Sequence, residues 1–132
     1  MAWKVELDTE NGFIHTVYSD IVAKDDILDS MTATLKMISG KGPQKFFTEW
    51  VNATSKLSTT EIFEIPGEWE NAEVNRGSVL ALLIQNDAKS KKNAQFYENA
   101  CVNRGWRVRF FTQRNDAIEW LKKQKIIDTT KE

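Results

Sequence analysis

The stretch from Ser78 to Gln85, Ser-Val-Leu-Ala-Leu-Leu-Ile-Gln, contains the one uninterrupted run of six apolar residues in the chain. A strand covered on one face alternates apolar and polar residues, whereas a strand covered on both faces can be apolar throughout. The run is short and lies between Gly77 and Asn86, which favours a buried strand over a helix. We therefore predict that it forms the central strand of a sheet.

Length and cysteine content limit the class of protein. A chain of 132 residues can bury its own core, so we expect a single domain over 1–132 with a frayed tail at 128–132. The single cysteine, Cys101, excludes an internal disulfide and fits a reducing compartment. No apolar run of about 18 residues and no basic-then-apolar amino terminus occurs, so we expect no membrane span, no signal peptide and a cytoplasmic location.

The segments around the apolar run predict the remaining elements. Trp3 to Asp8 alternates like a half-buried strand, and a Glu-Asn-Gly turn joins it to a second strand over 13–18. Apolar residues at spacings of three and four predict helices over 25–39, 91–103 and 114–125. The Gly-Lys-Gly-Pro segment at 40–43 is interpreted as a helix stop, and further strands are expected over 45–51 and 106–111.

A fourth helix is expected between the third strand and the apolar run. Ser58-Thr-Thr-Glu61 is a capping box that starts a short helix through Phe63. Pro66-Gly67 is expected to interrupt it, leaving Trp69 in an acidic connection. The order ββαβαβαβα predicts an α/β fold with a mixed, mostly parallel five-stranded sheet and one antiparallel edge.

Charge is distributed unevenly along the chain. Thirteen acidic residues face six lysines in 1–75, whereas six acidic residues face twelve lysines and arginines in 76–132. The halves could attract each other within the fold, two copies could pair head to tail, or the basic half could meet an anion. The first and last strands each have one charged face, so Glu6, Asp8, Arg107 and Arg109 are candidates for an interaction face bare of helices.

The polar corner after the third strand is the second candidate site. Asn52, Thr54, Ser55 and Ser58 lie there, where a partner could dock or a serine could accept a phosphoryl group. Turn and helix-cap roles for the two serines are the structural alternative.

Side chains for catalysis or metal binding are scarce. His15 is the one histidine, and no second histidine or cysteine is spaced to complete a metal site with it. The sequence contains no nucleophile elbow and no glycine-rich phosphate loop, so we expect neither an enzyme nor a bound cofactor or metal. Nucleic-acid binding is not expected, because the net charge is −1 and Trp106 and Phe110 should face the core.

The closing segment supports a family resemblance. Gly105-Trp-Arg-Val-Arg-Phe-Phe111 followed by Asn115-Asp-Ala-Ile-Glu-Trp-Leu121, together with the element order, resembles small stand-alone bacterial members of the SpoIIAA-like group of the STAS superfamily. The resemblance implies a non-enzymatic regulatory module that docks a protein partner through the corner after the third strand. In the anti-sigma-factor antagonists that corner carries an Asp-Ser-Ser-Gly or similar motif with a phosphorylated serine. Here the corresponding residues are Asn52-Ala-Thr-Ser55.

Two functional hypotheses follow. The leading one is a regulatory protein-binding module, with an unknown protein or a second copy as its partner and a homodimer as one form. The alternative is a carrier for a small molecule or lipid, with Trp69 near a crevice between the helices and the sheet.

Overall fold

The computed structural model describes residues 2–38 and 42–126. Within these residues the chain forms five strands and four helices. In chain order they are β1 (Trp3–Asp8), β2 (Phe13–Val22), α1 (Lys24–Met37), β3 (Lys45–Ser55), α2 (Thr59–Asn71), β4 (Val79–Leu83), α3 (Ala88–Asn103), β5 (Arg107–Phe111) and α4 (Arg114–Lys123). Part of the 40–43 helix stop and the predicted tail at 128–132 lie outside the described residues.

The strands form one sheet in the sequential order β1-β2-β3-β4-β5. β1 and β2 are antiparallel, and each later strand is parallel to the one before it. The predicted mixed, mostly parallel sheet with one antiparallel edge is confirmed. The expectation that the apolar run is the central strand is wrong, because β3 is in the middle and β4 is next to the edge. Burial on both faces made β4 look central, although it shows only that helices lie above and below it.

The sequential order also decides which face of the sheet each helix covers. Right-handed crossovers that all advance in one direction place their helices on the same face. The crossover helices α1, α2 and α3 therefore share what we call the three-helix face. The opposite face, the α4 face, packs Phe47, Val79 and Ala81 against Ala117 and Leu121 of α4, and all five side chains are almost completely buried.

α2 continues through Pro66, so the expected interruption is wrong. An interior proline costs a helix about 3 kcal/mol through a lost hydrogen bond and a steric clash. Ile62, Ile65, Pro66 and Trp69 fall at helical spacing on one side of α2, and the first three are buried. Burial of this stripe offsets the cost of the proline.

Three arginines from the basic part of the chain bind two carboxylates from the acidic part. Glu70 pairs with both Arg76 and Arg104 at 3.2 Å, and Glu49 pairs with Arg114. These pairs agree with attraction between the two parts within the fold. No helix in the described segments is both long and apolar enough to cross a membrane.

Candidate functional site

A cavity of about 260 Å³ opens between the three-helix face and the helices α2 and α3. It lies at the carboxyl ends of the parallel strands β3 and β4, where α/β sheets commonly bind ligands. Its wall is mostly aliphatic and aromatic. The apolar lining residues include Tyr18, Ile27, Trp50, Leu57, Ile62, Ile65, Trp69, Leu82, Ile84, Ala94 and Tyr97.

A bulge in β3 decides which residues of the polar corner face this cavity. Val17 of β2 pairs with Glu49 of β3, and Ser19 pairs with Asn52. Between these two pairs β3 therefore has one residue more than β2. The extra residue in β3 reverses the alternation of its side chains beyond that point. The corner was expected to be a loop, but β3 runs on to Ser55.

Beyond the bulge, Ser55 is the partner of Val22, which is buried on the three-helix face. Ser55 and its neighbour Thr54 line the cavity, and the Oγ of Ser55 accepts a hydrogen bond from the N–H of Leu57 at 3.1 Å. Asn52 is exposed and does not line the cavity. The bulge therefore turns Ser55 toward the cavity and Asn52 away from it.

Ser58 acts as the cap of α2. Its Oγ accepts from the N–H of Glu61 at 3.1 Å, and Glu61 accepts from the N–H of Ser58 at 2.9 Å. These two bonds complete the predicted capping box and fix the direction in which α2 leaves the corner.

Trp69 lies in the wall of the cavity because α2 continues past Pro66. Its ring centroid is 5.8 Å from that of Phe46, and it is half-buried among core residues of two clusters. Trp69 of α2 and Tyr97 of α3 also pack against the same core cluster, which contains Tyr18 and Ile65. Trp69 thus joins the two helices that enclose the cavity.

Tyr18 lies in the cavity wall, and its hydroxyl is already paired with Ser30, a buried residue outside the lining. The hydroxyl of Tyr18 lies 2.5 Å from the Oγ of Ser30, which itself donates to the carbonyl of Ile27 at 2.8 Å. Burial raises the pKa of Tyr18 to about 12 and that of the neighbouring Cys101 thiol to about 12. Burial also raises the pKa of Tyr97 well above its usual value. All three groups are therefore neutral at physiological pH.

The mouth of the cavity is polar and carries both signs of charge. Its lining residues there are Thr54, Ser55, Gln85, Asp87, Lys89, Ser90 and Asn93. Asp87 caps α3 by accepting from the N–H of Ser90 at 2.8 Å and from its hydroxyl at 2.9 Å. These bonds lower the pKa of Asp87. The amide of Gln85 donates to the carbonyl of Val51, which ties β4 to the bulged part of β3.

The sequence selected Trp69 as a crevice residue and selected Thr54 and Ser55 only as residues of the polar corner; it did not select Trp50 or Tyr97. Trp50 was assigned to a strand and Tyr97 to an apolar helix stripe, and both assignments are right. The signal that could have identified them was side-chain size. Trp50 on β3 and Tyr97 on α3 are large aromatic residues at positions where a close-packed core would favour smaller side chains.

The four residues of the expected interaction face are on one side of the sheet but are not brought together. Glu6 and Asp8 are on the edge strand β1, whereas Arg107 and Arg109 are on the other edge strand, β5. α4 packs on the sheet between the two pairs. The reason is the sequential strand order, which places the first and last strands farthest apart.

Each of the four also has a local partner. Glu6 pairs with Lys4 at 2.7 Å, and Asp8 accepts from Asn11. Arg107 donates to the carbonyls of Gly77 and Lys125, at 2.7 and 2.6 Å, and Arg109 lies over the ring of Phe111.

His15 is part of a polar cluster on the α4 face. Its ring stacks on Phe47 with centroids 5.1 Å apart, and its Nε2 hydrogen bonds to Glu49, which also binds Arg114. The described residues hold no group of three or more histidine, cysteine and carboxylate side chains placed to bind a metal ion.

Comparison with known proteins supports the fold. No family model and no curated protein matches the chain. Among solved structures, an uncharacterised DUF3478-family protein from Shewanella loihica PV-4 with a SpoIIAA-like fold superposes with a TM-score of 0.62. The match covers 91% of this chain and 92% of the other, at 14% sequence identity. The fold is SpoIIAA-like.

The match therefore confirms the fold expected from the resemblance. At this level of identity the SpoIIAA-like fold is what the two chains share, since one fold hosts many functions. The function of the present chain must be argued from its own cavity and surfaces.

Proposed function

We propose that this protein is a non-enzymatic binding module whose cavity takes up a small amphiphile. The observation that carries the proposal is the volume and lining of the cavity on the three-helix face. An engineered apolar cavity of about 150 Å³ is large enough to bind benzene. By that scale, a cavity of about 260 Å³ accommodates an apolar group of roughly ten carbon atoms.

The polarity gradient of the cavity supports an amphiphile over a uniformly apolar ligand. The hydroxyl of Tyr18 in the cavity wall is already bonded to Ser30, so an apolar chain can pass Tyr18 without leaving a new unpaired polar atom. Hydroxyl and amide groups of Thr54, Ser90 and Asn93 surround the mouth. A polar head group there would keep hydrogen bonds to protein or water while the tail enters.

The proposal assigns a regulatory role and no chemistry to the protein. Cys101 is buried with a raised pKa, which makes a poor nucleophile. His15 is engaged with Glu49 on the opposite face of the sheet from the cavity. The single thiol and the absence of a spanning helix among the described residues are compatible with a cytoplasmic location, which we include in the proposal.

Decanoate and decan-1-ol are suitable probes, because they share a chain of the expected length and differ in head-group charge. Binding is measured by tryptophan fluorescence and by calorimetry, up to about 1 mM, where even a site with a binding free energy near −4 kcal/mol is half filled. Trp50 and Trp69 line the cavity, so we expect ligand-dependent quenching. W69F should remove much of it, whereas W120F should retain it because Trp120 packs against Phe111 on the other face.

Replacement of either of two alanines on α3 by leucine separates loss of the cavity from loss of stability. Ala94 lines the cavity and Ala100 does not, although both are buried to a similar extent. A94L should weaken binding at least tenfold by occupying the space, with little change in melting temperature. A100L should lower the melting temperature and leave the dissociation constant unchanged. Absence of binding by both probes, or equal effects of the two variants on affinity, would contradict the proposal.

The corner between β3 and α2 supports a second candidate, docking of a protein partner. Thr54 and Ser58 are exposed there, next to the cavity mouth. A phosphoryl group on Ser58 would lie at the amino terminus of α2, where the helix dipole favours negative charge. Native mass spectrometry of the protein purified from its own cells tests this, because a retained partner or a phosphoryl mass lost in S55A or S58A would support it. Unmodified protein without a partner would argue against it.

A further inference from the structure

The outer edge of β1 presents an ordered row of backbone groups that have no partner strand within residues 2–38 and 42–126. The carbonyl of Ala2 accepts from the N–H of Ser19 at 2.8 Å. In an antiparallel ladder, alternate residues turn their backbone groups to the same side. Lys4, Glu6 and Asp8 therefore direct their N–H and C=O groups toward β2, whereas Trp3, Val5 and Leu7 direct theirs away from the sheet.

Neither a proline nor a bulge blocks pairing at this edge. The strand has six residues, contains no proline, and pairs with β2 in one unbroken register. Proline, bulges and charged side chains are the usual devices that protect an edge strand, and of these β1 has only its charges, Lys4, Glu6 and Asp8. Leu7 also leaves more than half of its side chain exposed, at 55%. An edge of this kind is suited to a partner strand.

We propose that β1 pairs antiparallel with β1 of a second copy, about a two-fold axis at Val5. In this arrangement Val5 faces its own symmetry mate, and Trp3 faces Leu7 of the partner. These are the residues with outward-directed backbone groups, so the new ladder is hydrogen-bonded at each of them. Leu7 is then covered by an indole from the partner. The two five-stranded sheets join into one sheet of ten strands.

Charge selects this register over its neighbours. With the axis at Val5, Lys4 of each copy faces Glu6 of the other, in the non-hydrogen-bonded positions where cross-strand side chains come closest. An axis at Lys4 would place two lysines opposite each other, and an axis at Glu6 would place two glutamates opposite each other. Like charges directly opposite destabilise a sheet. The present pairing of Lys4 with Glu6 within the strand, at 2.7 Å, would become an alternating group of four charges.

Sedimentation velocity over a range of concentrations tests the dimer. We expect wild-type protein to dimerise with increasing concentration. K4E and E6K should each weaken the dimer about tenfold, because two attractive contacts become two repulsive ones. The side chains of Lys4 and Glu6 are 73% and 57% exposed, so both variants should remain folded by circular dichroism.

Two further samples make the test specific for this register. The double variant K4E/E6K exchanges the two charges and should restore the wild-type affinity. An equimolar mixture of K4E and E6K should form a heterodimer, since every facing pair is then opposite in sign. A protein that stays monomeric, a dimer insensitive to both single reversals, or a failure of both the double variant and the mixture to associate would overturn the proposal.

Discussion

Helices cover both faces of the sheet, but the side chains under them are packed to different densities. α4 alone, with ten residues, closes its face so tightly that Phe47, Ala81, Ala117 and Leu121 are all inaccessible to solvent. Three longer helices cover the opposite face and leave a cavity of about 260 Å³. Small residues at the contact let α4 approach the sheet closely. Large rings between the sheet, α2 and α3 prevent the same approach, so side-chain size decides the packing and not the number of helices.

The largest expected difference between the faces comes from matched leucine truncations. L121A removes a fully buried side chain from a close-packed cluster and should lower the free energy of unfolding by about 4 kcal/mol. L82A removes a side chain that already borders the cavity and has fewer neighbours to lose, so we expect about 2 kcal/mol. Urea denaturation of both variants measures this. Equal costs would show that the cavity is closed in solution.

Alkaline pH should weaken the three-helix face selectively. Burial raises the pKa of Cys101 from 9.0 to about 12 and that of Tyr18 from 10.0 to about 12. These groups stay protonated in the folded protein while the unfolded chain ionises, so stability is full below about pH 9 and falls as pH rises toward 12.

A cysteine variant isolates one part of this effect. Between about pH 8 and pH 10.5, wild-type protein should lose about 2 kcal/mol more than C101A does, because each pH unit above the ordinary thiol pKa of 9.0 costs about 1.4 kcal/mol. The measurement is the urea midpoint at both pH values. Parallel losses in the two proteins would mean that Cys101 ionises freely in the folded state.

A smaller effect is expected at the helix caps of the two faces. S58A removes the side chain that accepts from the N–H of Glu61 at the start of α2, and it should cost about 1 kcal/mol. Gln113 occupies the same position in α4 but makes no side-chain cap bond, so Q113A should leave stability nearly unchanged. Thermal unfolding of both variants compares the two caps. A comparable loss in Q113A would contradict this difference.

Elements in which apolar residues recur at a regular spacing could be predicted from the sequence. Features that depend on packing between elements distant in the chain could not. The alternation of Trp3–Asp8 and the capping box at Ser58 depend on local chemistry and were predicted correctly. Pro66 was assigned as a breaker because its cost is local, but the burial that offsets it depends on α2 meeting the sheet. The position of β4 was misjudged because burial on both faces does not order the strands.

The candidate site shows the same division. Thr54, Ser55 and Trp69 could be selected as polar-corner and crevice residues, yet their convergence depends on the bulge in β3 and on continuation of α2. No distinctive residue near Trp50 and Val51 marks the bulge in the sequence. The continuation of α2 past Pro66 has no distinctive residue signal either. The cavity itself is a property of shape, which arises from rings contributed by four separate elements, β2, β3, α2 and α3.

The sequential order of the strands also has a consequence for synthesis of the chain. Each strand can be added beside the previous one as it emerges from the ribosome, so most of the sheet can form from contacts between chain neighbours. The face closed by residues 114–123 is different, since its helix is made only after all five strands. Until that helix docks, Phe47, Val79 and Ala81 remain uncovered together, and a stalled nascent chain would present them as a ready binding surface for a chaperone.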